Sequence, residues 1–232
     1  MNKIVLLILL SLGVSATSAC AGEAPAVIYW NSETGKALRA RIPADADYWQ
    51  LSPTFTVQNT QTYCSVASAI TVLNAMPIKK PVDPAYAPYA YFTQNNYFTP
   101  EVTQVISPQT VLAMGMTREQ MAKTLELHGV KVKSIAGDTL NEEGLRTLLQ
   151  KALGDDGQFV LVNYLRAILG QVGGGHWSVL AAYDAQTDSV LILDVAKYKY
   201  VPVWVGISTL RQAIATLDTT SNKARGLVIV SE

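Results

Sequence analysis

Cysteine and histidine are nearly missing from this chain, at two each in 232 residues, and charged residues make up only 16% of it. Basic and acidic side chains number 18 each, so the formal net charge is zero. Without a clustered basic excess, nucleic-acid binding is not expected. Two histidines in separate settings and no cysteine cluster leave nothing with metal-ligand spacing, so no metal site and no cofactor is expected. Internal repeats and low-complexity segments are also missing. The apolar run from Ile4 to Val14 is too short to span a bilayer. What is present is apolar: 49% of the residues are hydrophobic. A packed globular body follows, one substantial domain or two small lobes around a shared cleft.

Lys3, the short apolar run and small residues through Ala21 read as an export signal over residues 1–21. Ala19-Cys20-Ala21 suits cleavage, which leaves a catalytic domain over residues 22–232, periplasmic or secreted, with no stable membrane insertion after processing. A lipoprotein modified at Cys20 comes second, because Thr17 stands where such signals carry a larger aliphatic residue. A retained N-terminal anchor is the remaining alternative. Once Cys20 leaves with the signal, Cys64 is the single thiol, unable to form an internal disulfide: buried and inert, paired with another chain, or reactive.

Along the mature chain the texture changes near residue 157. Before it, helices are expected at Ser65 to Leu73, from a Thr117/Gln120 capping box to Gly129, and from about Thr139 to Gly154. The Pro- and Tyr-rich stretch from Pro81 to Pro100 reads as an ordered surface loop without regular structure. After residue 157, strands are expected at Phe159 to Leu165, Trp177 to Tyr183, Val190 to Val195, Val201 to Ile207 and Leu227 to Val230, with a helix at Ser208 to Leu217. Asp184 to Asp188 reads as a hairpin loop. Helices followed by an antiparallel sheet give an α+β class with two lobes.

Four residues stand where chemistry would use them. Cys64 begins an apolar helix, whose unsatisfied N–H groups favour thiolate over thiol. His176 follows three glycines and opens a strand. Asp194 ends an apolar run, where a carboxylate is costly unless paired. The hairpin would bring it beside His176, able to hold one imidazole nitrogen while the other faces Cys64. Gln58, in the loop before Cys64, could donate to a developing oxyanion alongside the Cys64 backbone N–H. Each has a bland counterpart: a buried small hydrophobe, a solvated strand-start histidine, a turn aspartate, a loop amide. The order Gln, Cys, His, Asp matches papain-like enzymes. His128 precedes Gly129 at a helix end, where a cation would complement the dipole.

The segments QNTQTYCSVASAITVLNA (58–75), NYLRAILGQ, GGGHWSVLAAY and LILDVAKYKYVPVW resemble the catalytic domain of the phytochelatin synthase family, above all its short prokaryotic members. IYWNSETG and KARGLVIV fit as well. The resemblance implies a papain-like cysteine proteinase fold, with a helical lobe carrying the nucleophile and an antiparallel sheet lobe carrying His and Asp. It implies Cys64 as nucleophile, His176 as general base and acid, Asp194 as its partner and Gln58 as oxyanion donor. Arg166, Asp218 and Arg225 occupy the positions that recognise the γ-glutamyl end of glutathione, Arg gripping the α-carboxylate and Asp the α-amine. The implied activity is that of a glutathione γ-glutamylcysteinyltransferase or glutathione-cleaving cysteine peptidase. A heavy metal would enter only as part of a metal–glutathione thiolate substrate. HWSV replaces the HFSP common in plant members, Ser65 replaces Gly, and the cysteine-rich C-terminal region of eukaryotic members has no counterpart here; short members are expected to lean towards hydrolysis. The family also suggests a homodimer. A papain-like protease that processes secreted peptides is the competing reading.

Overall fold

The computed structural model describes residues 27–154 and 157–232; the expected export signal, its cleavage site and Cys20 lie outside them. The first half runs β1 (Val27–Tyr29), α1 (Glu33–Arg39), α2 (Tyr48–Leu51), α3 (Cys64–Ala75), α4 (Pro100–Val105), α5 (Pro108–Met114), α6 (Arg118–Glu126), β2 (Lys131–Ala136) and α7 (Glu142–Ala152). The second half runs β3 (Gln158–Leu165), β4 (Gly175–Asp184), β5 (Ser189–Leu193), β6 (Val203–Gly206), α8 (Ile207–Ile214), β7 (Leu217–Asp218), β8 (Lys223–Ala224) and β9 (Gly226–Ser231). Among the described residues, seven strands form an antiparallel sheet in the order β1-β6-β5-β4-β3-β9-β2, and β7 and β8 form a separate small hairpin. The class is α+β.

Helices cover both faces of this sheet rather than gathering in a lobe apart. Alternate residues of β3 divide between the two sides: Phe159 and Leu161 join α3 in one core, while Val160, Val162 and Tyr164 join α7 and α8 in the other. Strands β3 and β5 therefore read as nearly continuous apolar runs, as strands buried on both faces do. All positions from Cys64 to Asn74 in α3 are buried. That helix is apolar or small on every side, which is the pattern of a central rather than an amphipathic surface helix. Each fully buried Val, Ile or Leu there stabilises the fold by about 1.5–3 kcal/mol. Thr71 keeps its hydroxyl satisfied by donating to the Ala67 carbonyl at 2.8 Å.

Local signals fix the helix starts. Thr117 and Gln120 form the reciprocal capping box expected at α6. Thr99 and Ser107 cap α4 and α5, each followed at once by proline. Proline suits a first helical turn, whose N–H has no partner in any case, so Pro100 opens a helix where the sequence had been read as free of regular structure. The loop before it is not wholly superficial. Phe92 and Tyr97 lie in the core, and the Asn74 side chain clamps the Phe92 backbone with two 2.9 Å hydrogen bonds.

His128 is structural, but not as a cation at the helix end. It follows α6, but its ring sits against Phe92 and Tyr97, at centroid distances of 5.2 and 4.7 Å. Burial lowers its pKa to about 4, so at neutral pH it is an uncharged packing residue rather than a cation on the helix dipole.

Candidate active site

Three elements converge on Cys64. It is the first residue of α3, and α3 packs against β4, which carries His176. The β4–β5 hairpin pairs Val179 with Leu193, so Asp194 emerges beside the start of β4. His176 Nε2 and Asp194 Oδ1 are 2.9 Å apart, which leaves Nδ1 to make the hydrogen bond between the imidazole and Cys64. The three side chains are nearly sealed from solvent, at 7%, 4% and 0% exposure for Cys64, His176 and Asp194.

Burial by itself would raise the Cys64 thiol. The charge and hydrogen bond of His176, with backbone hydrogen bonds from Trp177 and Ser65, outweigh it and bring the thiol below its ordinary value. Burial likewise pulls His176 down, but Cys64 and Asp194 outweigh it and hold the imidazole above its ordinary value. Both shifts favour thiolate paired with imidazolium. Burial pushes Asp194 up, against hydrogen bonds from His176 and Arg166 that hold it well below the usual carboxylate range. The Ala196 backbone N–H donates to the same carboxylate at 2.9 Å.

A cavity of about 190 Å³ opens on one side of Cys64 and His176, lined among others by Asn163, Gly175, Asp218 and Arg225. Register places these residues. Asn163 on β3 pairs with both Trp177 on β4 and Gly226 on β9, so its amide reaches Arg225, whose Nη1 donates to Asn163 Oδ1 at 2.9 Å. Asp218 lies 3.9 Å from Arg225. Burial lowers the Arg225 pKa, opposed by Asp218 and Cys64. An anchored arginine beside a carboxylate carries the two charges that a zwitterionic amino-acid head would complement. Asn163 had no place in the sequence reading, although an amide inside an otherwise apolar strand was its signal.

A second cavity, about 350 Å³, lies on the other side of His176, lined among others by Gln58, Arg166, Gly173, Tyr198 and Lys199. Gln58 donates its amide hydrogens to the Thr60 carbonyl (2.7 Å) and the Tyr198 hydroxyl (2.8 Å) rather than leaving them free above Cys64.

Arg166 is not with Asp218 and Arg225. It lies behind Asp194, 3% exposed, with Nη1 and Nη2 donating to the two Asp194 oxygens at 2.7 and 2.9 Å. Where a grip on a substrate carboxylate was expected, both terminal nitrogens of Arg166 are engaged by Asp194. The glycines before His176 fit these two arginines. A Cβ on Gly173 would meet Arg166 Cδ at 3.0 Å, and one on Gly175 would fall 2.1 Å from Arg225 Nη1. Among the described residues no group of three or more His, Cys, Asp and Glu side chains could hold a metal ion.

The phytochelatin synthase family model matches residues 23–227, nearly all of the chain. The chain belongs to the phytochelatin synthase family. Among the relatives it is similar to, glutathione gamma-glutamylcysteinyltransferase 1 of Arabidopsis thaliana is 28% identical over 187 residues, 79% of this chain and 37% of that protein. Glutathione gamma-glutamylcysteinyltransferase 3 of Lotus japonicus is 29% identical over 188 residues, 80% of this chain and 37% of that protein. The glutathione gamma-glutamylcysteinyltransferase of Schizosaccharomyces pombe is 21% identical over 184 residues, 79% of this chain and 43% of that protein. This phytochelatin synthase family member thus spans well under half the length of these relatives.

Proposed function

We propose that this protein is a glutathione γ-glutamylcysteinyltransferase that can also act as a glutathione hydrolase, working through Cys64, His176 and Asp194. The observation that carries this is the pairing of an activated thiol with a cavity that holds an arginine–carboxylate pair, Arg225 and Asp218. At about 190 Å³ the cavity falls below the roughly 300–1,000 Å³ of pockets that take drug-sized ligands. It suits one amino-acid head rather than a whole peptide. A γ-glutamyl group presents a free α-amine and α-carboxylate together, and an ordinary internal peptide residue presents neither; this favours the transferase over a general papain-like protease. A nucleophile at a helix start, packed against an antiparallel sheet with His and Asp, supports the papain-like form of the α+β fold.

The reaction starts from thiolate and imidazolium. Cys64 Sγ attacks the carbonyl carbon of the Cys–Gly bond, forming a C–S bond and an oxyanion. The Cys64 backbone N–H stabilises that oxyanion, joined by the Gln58 amide once the exposed Tyr198 moves aside. Collapse breaks the C–N bond, and His176 gives its proton to the departing glycine nitrogen. A γ-Glu-Cys thioester remains, its head held by Asp218 and Arg225. Water or the amine of a second glutathione then attacks, His176 takes the proton, and the C–S bond breaks to return the thiolate. Glycine leaves and the acceptor enters through the cavity lined by Lys199 and Tyr198. The export signal read at residues 1–21 would put this reaction outside the cytoplasm.

The test is mass spectrometry of products from glutathione, with and without a thiol-binding metal. Glycine with γ-Glu-Cys reports hydrolysis, and (γ-Glu-Cys)2-Gly reports transfer. Cys64→Ala should abolish both; turnover retained by that variant would overturn the assignment.

A further inference from the structure

The acid of the triad is an aspartate held by a buried arginine, and the two belong together. Arg166, Asp194, His176 and Cys64 form one line of contacts, each member under a tenth exposed. Arg166 is fixed from every side. Its two terminal nitrogens fork onto Asp194, Nη1 also donates to Gln171, and its guanidinium lies 4.9 Å from the Tyr200 ring centroid. Its backbone N–H is bound to Gly174, in the segment that leads into His176. A buried carboxylate with a hydrogen bond to one histidine would leave the site with an extra negative charge whenever Cys64 is a thiolate. The guanidinium removes that excess.

We propose that Arg166 is a positioning residue: it orients Asp194 and cancels its charge, so that the line Cys64–His176–Asp194–Arg166 is neutral when thiolate and imidazolium are both formed. The inference rests on Cys64 being the nucleophile, but not on glutathione being the substrate.

The other groups around the line leave this balance intact. Arg225 and Asp218 offset one another in the cavity beside Cys64. Tyr164, edge-on to His176 with ring centroids 5.6 Å apart, has its phenol raised well above the ordinary value by burial and stays neutral. Lys199 is exposed to solvent, and α3 carries no charged residue.

The sign of the effect can be worked out. The protein is active between two proton losses, the first giving the thiolate and the second emptying the imidazolium, and both belong to the pair. Removing a positive charge makes both losses harder, so the active window moves to higher pH. Removing a negative charge moves it to lower pH. A charge two hydrogen-bonded neighbours away, through an effective dielectric of about 20, shifts such a titration by on the order of one pH unit.

The experiment is the pH dependence of Cys64 alkylation by iodoacetamide, which needs no substrate. Relative to wild type, Arg166→Met should shift both inflections of the alkylation rate, at thiolate formation and at the later loss of the imidazolium proton, towards alkali by about one pH unit, and Asp194→Asn should shift them towards acid by a similar amount. The double variant Arg166→Met with Asp194→Asn should return them to the wild-type positions with a slower maximal rate. Arg166→Lys should keep the window while losing rate, because it retains the charge without the fork. Unshifted inflections in Asp194→Asn would overturn the proposal even if Arg166→Met does not fold. So would a double variant no nearer wild type than Arg166→Met, the outcome of a merely structural role. A wild-type thiol with ordinary reactivity would instead refute Cys64 as nucleophile.

Discussion

Three adjacent glycines offer a sharp test of the donor cavity, because their surroundings differ. At Gly175 an added Cβ would lie 2.1 Å from Arg225 Nη1 and 2.6 Å from its Cζ, whereas at Gly174 it would meet nothing within 4 Å. Neither glycine has a positive φ, so alanine strains neither backbone and only the space differs. An ordinary Cβ contact is no closer than about 3.4 Å. The guanidinium in Gly175→Ala must therefore retreat by more than an ångström. The 2.9 Å hydrogen bond from Nη1 to Asn163 does not survive such a shift. Hydrogen bonds to charged groups contribute about 1.5–3 kcal/mol, and a displaced Arg225 would lose its bond to the substrate carboxylate at similar cost. One such bond lost from the transition state lowers kcat/KM by roughly 10- to 150-fold. The assay compares kcat/KM for glutathione, by product mass spectrometry, among wild type, Gly174→Ala and Gly175→Ala. Gly174→Ala should stay within about twofold of wild type, and alkylation of Cys64 should remain fast in both variants. Equal kcat/KM in the two variants would refute the idea that Arg225 crosses the Gly175 backbone to hold the donor.

Two further outcomes concern stability. His128 has a folded pKa lowered to about 4 from 6.5, so the unfolded chain takes up a proton that the folded chain refuses across that interval. Its contribution is complete above pH 6.5 and is lost as pH falls towards 4, by up to about 3 kcal/mol; urea unfolding of wild type and His128→Phe should show a pH slope in this range that the variant lacks. Thr117→Ala removes one half of the α6 capping box and should cost about 1 kcal/mol. It should do so without changing kcat/KM, and a wild-type urea midpoint would show that the cap contributes nothing.

The meeting of Cys64, His176 and Asp194 was legible because each stands at one end of an apolar run, and because the turn at Asp184 to Asp188 announces the hairpin that joins His176 to Asp194. Strand identity from residue 158 onward was legible for a related reason: apolar, β-branched runs between turn residues have few other uses. The burial of both sheet faces was written in those same runs, but which helices cover which face depends on packing that no single segment encodes. Strand β2 escaped notice because Lys131, Lys133 and Ser134 give it an exposed, polar pattern. The short helices α4 and α5 were hidden by their prolines, although Thr99-Pro100 and Ser107-Pro108 are the pattern of a capped first turn. Arg166 could be seen as important but not assigned, since its partner lies 28 residues away and beyond two strands. Gln58 and Tyr198, 140 residues apart, met for the same reason.

The two ends of the sheet bear on how the protein behaves in crowded solution. Open strand edges invite other strands, and proteins discourage this with short edges and lysines. Here one edge is β1, only three residues long, and the other is β2, which presents Lys131 and Lys133 to solvent. Among the described residues β1 is too short, and β2 too charged, to offer a long uncharged template. A concentrated or newly folding population is thereby guarded against ribbon-like aggregation, and any pairing of two copies would be steered towards contacts other than a continuous sheet.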